Sequence, residues 1–208
     1  MRNQDLIAAR ARRGFTLIEL LTVIMIIGVL ASILLGVLAL ANKRANKAAT
    51  QSMFVQWASA IAGYKGTYSF YPDLGTGYTA QSDTYYTLDD GEQGRNLVRA
   101  LSGKNPDGTA LTDSERKKFN PRGREFCTFP SEVFLDNDPK KAKLADRFGN
   151  TRIRVVLDTD SDSMLTLKEK PENTTDLGLV NGNKLQAKIF ICTLKADGAD
   201  FEDIFVKN

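Results

Sequence analysis

The chain has 208 residues, with 28 Lys and Arg against 25 Asp and Glu, a formal net charge of +3, no histidine and two cysteines. The missing imidazole excludes His-based acid–base catalysis, catalytic triads built on His and His metal ligands. Two cysteines are too few for a structural zinc site. Residues 1–14 carry Arg2, Arg10, Arg12, Arg13 and Asp5, which account for the whole net charge, so the rest of the chain is near neutral and strong nonspecific nucleic-acid binding is not expected.

The first element is an apolar run from Phe15 to Ala41 in which Glu19 is the only charged residue. These 27 residues, at a helical rise of about 1.5 Å each, would span about 40 Å, more than the roughly 30 Å hydrocarbon core of a bilayer. Arg10, Arg12 and Arg13 before the run argue for a cytoplasmic N-terminus. A carboxylate inside an apolar helix requires a positive partner, because a buried charge is tolerated only when paired. A conventional secretory signal competes with this reading. Its apolar region is usually about 7–15 residues, about half the present run, but Ala39-Leu40-Ala41 has the form of a signal-peptidase site. From these features alone a cut that leaves Asn42 and an uncut Met1 both remain open.

The stretch Gly14-Phe15-Thr16-Leu17-Ile18-Glu19 resembles the processing motif of type IV prepilins and of the pseudopilins of type II secretion. The resemblance implies a membrane peptidase that cuts between Gly14 and Phe15 and methylates the new amino group of Phe15. It also implies that Glu19 of one subunit meets the Phe15 ammonium of its neighbour in a helical filament. The bland alternative is a signal-anchor helix carrying an extracytoplasmic binding domain. Gly28 and Gly36 interrupt the apolar run, as a site of close helix packing or as a flexible segment. Relatives in that family often have proline where this chain has Gly36.

Beyond Asn42 the composition turns polar yet stays favourable to helix. Phe54, Trp57, Ala58, Ile61 and Tyr64 recur at spacings of three and four, which predicts one apolar stripe, with Gly63 and Gly66 marking the end. The chain therefore divides into a leader (1–14), a transmembrane or filament-core helix (15–41), an amphipathic extension (42–65) and a globular head (66–208). Within the head, Tyr68 to Gly94 reads as irregular and Gly94 to Leu101 as a short helix. Thr112 to Glu115 reads as a capping box opening another helix. Period-2 alternation then predicts strands at 151–157, 164–167, 187–194 and 204–206, with Arg152 and Arg154 on the face opposite Ile153 and Val155. Helices first and strands last argue for an α+β domain, a long N-terminal helix packed on a small antiparallel sheet.

Asp146-Arg147-Phe148-Gly149-Asn150 looks like the Asp-Pro-Trp-Gly-Asn turn of major pseudopilins, with Arg147 and Phe148 as replacements. Tyr71-Pro72, Asn96 to Leu101, and Leu194-Lys195-Ala196-Asp197-Gly198 with Asp203-Ile204 also resemble that branch. The resemblance implies a pilin fold without enzymatic activity. It implies calcium held by the Leu194 carbonyl, Asp197 and Asp203, in a loop shorter than the family's. Implied partners are further copies of the chain, minor pilin-like subunits, the prepilin peptidase, membrane lipid, and an inner-membrane assembly platform with its ATPase. The implied location is the inner membrane with the head outside the cytoplasm. Separately, Asp158, Asp160, Asp162 and Glu169 occupy positions one, three, five and twelve of an EF-hand-like loop, with Ser163 where such a loop has glycine. Cys127 and Cys192 form either a disulfide or two buried thiols. The basic stretches Arg116 to Lys118 and Lys140 to Lys143 read as solvated faces.

Overall fold

The structure is a computed structural model that describes residues 15–75, 77, 82–169, 177–180, 183–194 and 204–208. It divides into two compact units, residues 1–44 and 45–208. A single helix, α1 (Leu17–Tyr68), contributes to both.

In the first unit, α1 exposes apolar side chains on every face, Ile18, Leu21, Ile24 and Leu35 among them. Among the described residues this is the one helix long and apolar enough to cross a membrane, with a mean hydropathy of 3.0 over its best 18-residue window. Its hydroxyls are satisfied locally: Thr22 Oγ1 donates to the Ile18 carbonyl at 2.6 Å and Ser32 Oγ to the Val29 carbonyl at 2.8 Å. That arrangement suits a helix in lipid, where no water can serve a side-chain polar group. The helix is unbroken through Gly28 and Gly36, and a Cβ at either would meet nothing within 4 Å. Neither glycine is required by packing among the described residues.

In the second unit, α1 buries one stripe, which runs from Thr50 through Phe54, Trp57 and Ile61 to Tyr64. Trp57, at 1 % exposure, is a core residue. The helix does not stop at Gly63 or Gly66 but continues to Tyr68, because Tyr68 is held from outside the helix. Its ring lies 4.5 Å from that of Tyr64, and its hydroxyl donates to Asn120 Oδ1 at 2.6 Å. Ser69, at φ 69°, ends it. Two shorter helices follow, α2 (Glu92–Ser102) and α3 (Asp113–Phe119). The expected capping box opens α3: the Glu115 amide donates to Thr112 Oγ1 and the Thr112 amide to Glu115 Oε2. Gly103 closes α2 at φ 71°, where its amide reaches the Arg99 carbonyl.

The main sheet is wholly antiparallel, in the order β1 (Thr84–Thr87), β2 (Ile153–Leu157), β6 (Ile189–Thr193), β7 (Phe205–Lys207). A second antiparallel sheet contains β3 (Met164–Thr166), β5 (Lys184–Gln186) and β4 (Leu179–Val180), in that order. The α+β arrangement and its antiparallel sheet are those expected. One expectation fails: the stretch 68–94 is not all irregular, since β1 lies in it and forms an edge of the sheet, so strands do not simply follow helices. Strand β2 alternates as expected, with Arg154 on the face opposite Ile153 and Val155, but neither face is open to solvent. Every residue of β2 and of β6 is buried. Ile153, Val155, Leu157, Ile189 and Ile191 face the helices, whereas Val156, Phe190 and Cys192 pack with Leu165, Leu177 and Leu185 of the second sheet region. Arg154 is consequently buried, and it is paired through Nε to Glu169 at 2.8 Å and through Nη1 to Asp89 at 3.2 Å.

Cys127 and Cys192 are free thiols in different clusters, Cys127 against the helix-side core and Cys192 facing the second sheet. The structure therefore holds no disulfide between them. Burial, with Glu125 nearby, pushes the Cys127 thiol up to about 11. At pH 8 its thiolate fraction should lie on the order of a hundredfold below that of a free cysteine, and its labelling by a disulfide reagent should be slowed accordingly. A rate equal to that of free cysteine would mean that segment 124–128 does not cover it.

Asn120 is fully buried and joins three segments. It donates to the Ala100 and Arg124 carbonyls at 2.9 and 2.7 Å, and accepts from the Tyr68 hydroxyl and the Arg124 amide. Asn120→Ala strands several of these groups, each costing about 1–3 kcal/mol. Urea unfolding of the purified protein should show a loss of at least about 3 kcal/mol.

Candidate functional site

Phe15 and Thr16 precede α1, and Gly14 lies outside the described residues. Phe15 is exposed. Glu19, in the first turn, curls back onto Thr16: Oε2 accepts from the Thr16 amide and from Thr16 Oγ1, both at 2.8 Å. In return the Glu19 amide donates to Thr16 Oγ1 at 3.3 Å. These contacts form a reciprocal capping box. It satisfies amides that otherwise have no partner at a helix start. The sequence contains its signal, Thr-x-x-Glu, the spacing that opens α3, but within an apolar run the acid draws attention as a charge rather than as a cap. Glu19 therefore has two roles available. One oxygen caps its own helix, and Oε1 takes no hydrogen bond among the described residues.

The turn at 146–150 is built on Asp146. Its Oδ1 accepts from the Phe148 and Asn150 amides, both at 2.8 Å, and Gly149 sits at φ 80°. Burial raises the Asp146 carboxyl from its usual range, and the two amides oppose that shift. The turn ties three parts of the head together. The Arg147 amide donates to Thr50 Oγ1 on α1 at 3.1 Å, and Asn150 Nδ2 donates to the Leu194 carbonyl at 2.8 Å. Leu194 is thereby fixed at the end of β6. Asp197 and Asp203, the other members of the expected calcium set, lie outside the described residues.

The EF-hand-like reading of 158–169 is overturned. Strand β3 starts at Met164, and Glu169 is occupied by Arg154 and by the Tyr85 hydroxyl at 3.2 Å. The three aspartates nonetheless converge, and they do so with Asp83, which sequence reading does not single out. One carboxylate oxygen from each of Asp83, Asp158, Asp160 and Asp162 lies within 4.8 Å of the others. Strand pairing explains the meeting: Thr84 is opposite Leu157, so the next residues outward, Asp83 and Asp158, leave the sheet side by side. The pKa of Asp83 is pushed up to about 6 by burial and by the other three carboxylates, against the Thr166 amide that bonds it.

Residues 9–35 match the family model described as the prokaryotic N-terminal methylation motif. No curated protein and no solved structure matches the chain. The matched span covers the basic flank, the Gly14-Phe15 junction, the Thr16–Glu19 cap and the first part of the exposed apolar helix, and it carries no information on the head. The chain thus bears the N-terminal signal of type IV pilin-like proteins, which supports a place in the pilin and pseudopilin superfamily as a subunit of a pilus or pseudopilus.

Proposed function

We propose that this chain is a structural subunit, not an enzyme, of a type II secretion pseudopilus. It is anchored in the inner membrane by residues 15–41 with its head outside, cut between Gly14 and Phe15 by the prepilin peptidase, methylated on Phe15, and drawn into a helical filament. Partners in this reading are further copies of the chain, minor pilin-like subunits, and the inner-membrane platform with its ATPase. The observation that carries it is the head of α1: a motif for N-terminal methylation followed by a helix apolar on every side, with one carboxylate held at its start. Cutting creates an ammonium at Phe15. In the apolar interior of a bundle of such helices, that ammonium and the free oxygen of a neighbour's Glu19 are complementary, and the pair fixes the stagger between subunits. The exposed Gly28 and Gly36, which no packing among the described residues requires, suit contact with other helices. The secretion branch is favoured by the turn at Asp146–Asn150 and its tie to Leu194. Calcium at the Leu194 carbonyl, Asp197 and Asp203 belongs to the same reading. A type IV pilus subunit shares the helix but not this preference.

Two substitutions separate the cap from the charge. Glu19→Gln can still accept from Thr16, as glutamine serves in a capping box, but it carries no charge. It should insert, be cut to Phe15 by co-expressed peptidase, and fail to assemble, since a buried ammonium left unpaired costs about 3–5 kcal/mol. Glu19→Ala should lose both functions. Filaments of Glu19→Gln forming at the wild-type level would refute the pairing, and mass spectrometry finding Asn42 or Met1 at the mature N-terminus would remove the ammonium altogether.

A further inference from the structure

We infer that Asp83, Asp158, Asp160 and Asp162 form a calcium site, separate from the 194–203 loop and independent of which filament the chain enters. Their converging oxygens lie within 4.8 Å of one another. The oxygens bound to one calcium are 2.3–2.6 Å from it, so the widest separation between two of them is about 5 Å. The spacing fits four ligands around one ion.

Burial provides the second observation. Asp158 is 1 % exposed, and its Oδ1 has no hydrogen-bond partner. Asp83 Oδ1 and Asp160 Oδ1 are likewise buried without a partner. Buried polar atoms are almost always hydrogen-bonded, and three orphaned carboxylate oxygens within one cluster are a strong exception. The remaining oxygens are held in place. Asp83 Oδ2 accepts from the Thr166 amide at 2.7 Å, Asp158 Oδ2 from the Ser163 amide at 3.2 Å, and Asp162 Oδ1 from the Met164 amide at 2.7 Å. The lead-in to β1 is fastened to the same loop by Thr159, whose hydroxyl donates to the Ser82 carbonyl at 2.6 Å. Three of the carboxylates are thus oriented by backbone amides, and in Asp83 and Asp158 those bonds leave the orphaned oxygen unused.

Among the described residues no protein cation takes that position, and none of the four aspartates makes an ion pair. The nearest cation bearing on Asp158 is Lys65, whose ammonium sits over the Tyr71 ring at 4.0 Å instead. Calcium suits the set better than magnesium. It accepts six to eight oxygens in irregular geometry, with water or carbonyls completing the shell, whereas magnesium demands a near-octahedral shell and dehydrates reluctantly. The bound ion would staple the entrance of β1 to the β2–β3 turn, two segments more than 70 residues apart.

The test uses the full-length protein in detergent after chelator treatment, titrated with calcium chloride and followed by calorimetry and thermal unfolding. At a calcium concentration about a hundred times the Kd, the Tm should rise by roughly 5–10 °C. Asp160→Asn and Asp83→Asn should each weaken binding at this site at least tenfold, both in the wild-type chain and in an Asp197→Asn background that removes any contribution of the 194–203 loop. Without calcium, Asp160→Asn should melt no lower than the wild type, because it relieves repulsion, and this separates a lost ligand from a damaged fold. The proposal is overturned if calcium gives neither heat nor a Tm shift, as would follow were Asp158 and Asp160 to share a proton instead. It is also overturned if Asp160→Asn binds like the wild type, if Asp197→Asn abolishes the response, or if magnesium is as effective as calcium.

Discussion

The head of this protein is assembled on one stripe of α1. Phe54, Trp57, Ile61 and Tyr64 present a continuous apolar surface, and strands β2 and β6 are laid against it through Ile153, Val155, Leu157, Ile189 and Ile191. Polar ties at the margins of the stripe fix the geometry where apolar packing alone is permissive. Near one end Thr50 accepts from the Arg147 amide. At the other, Tyr64 donates to the Phe119 carbonyl and Tyr68 to Asn120. Since burial of large aromatic and aliphatic side chains is the dominant favourable term, removing the stripe would leave the sheet with one uncovered face.

The other face of that sheet has its own cover, which sets the character of everything beyond Leu157. With β2 and β6 buried on both sides, a strand that alternates Arg and Val must bring its arginine inside. Arg154 is accommodated because Asp89 and Glu169 converge on it from different segments. Removing either acid would leave a buried charge partly compensated, which is far more costly than losing a surface pair. Glu169 is thereby committed to Arg154, and the acidic loop 158–162 turns instead to Asp83. The two ion pairs of Arg154 and the meeting of four carboxylates are consequences of the same burial.

The first unit follows a different solvent logic. Its side chains are apolar around the whole helix, its hydroxyls bond back to their own carbonyls, and its single acid closes the helix start. Among the described residues an oxygen of Glu19 takes no hydrogen bond and a large apolar surface is left uncovered; in the proposed reading, copies of the same helix would meet both. In the proposed filament, a capping acid that also pairs in trans would link the folding of the helix start to assembly.

The N-terminal motif, the apolar run, the α1 stripe, the capping box of α3 and four of the strands could be read from the chain alone, since each depends on residues within a few turns of one another and on periods of 3.6 or 2. Strand β1 could not, because Thr84–Thr87 is a strand only by pairing with β2, and the helix passes its glycines only because Asn120 holds Tyr68. The second cap, Thr16–Glu19, was legible in the spacing but masked by the apolar residues around it. Asp83 is 75 positions from Asp158, and no local pattern relates them. Local periodicity therefore determined the helices, four of the strands and the apolar N-terminal segment. Only the tertiary structure decided which face of β2 is covered, which acid neutralises Arg154 and which four carboxylates meet, because these are set by register and burial between segments far apart in the chain.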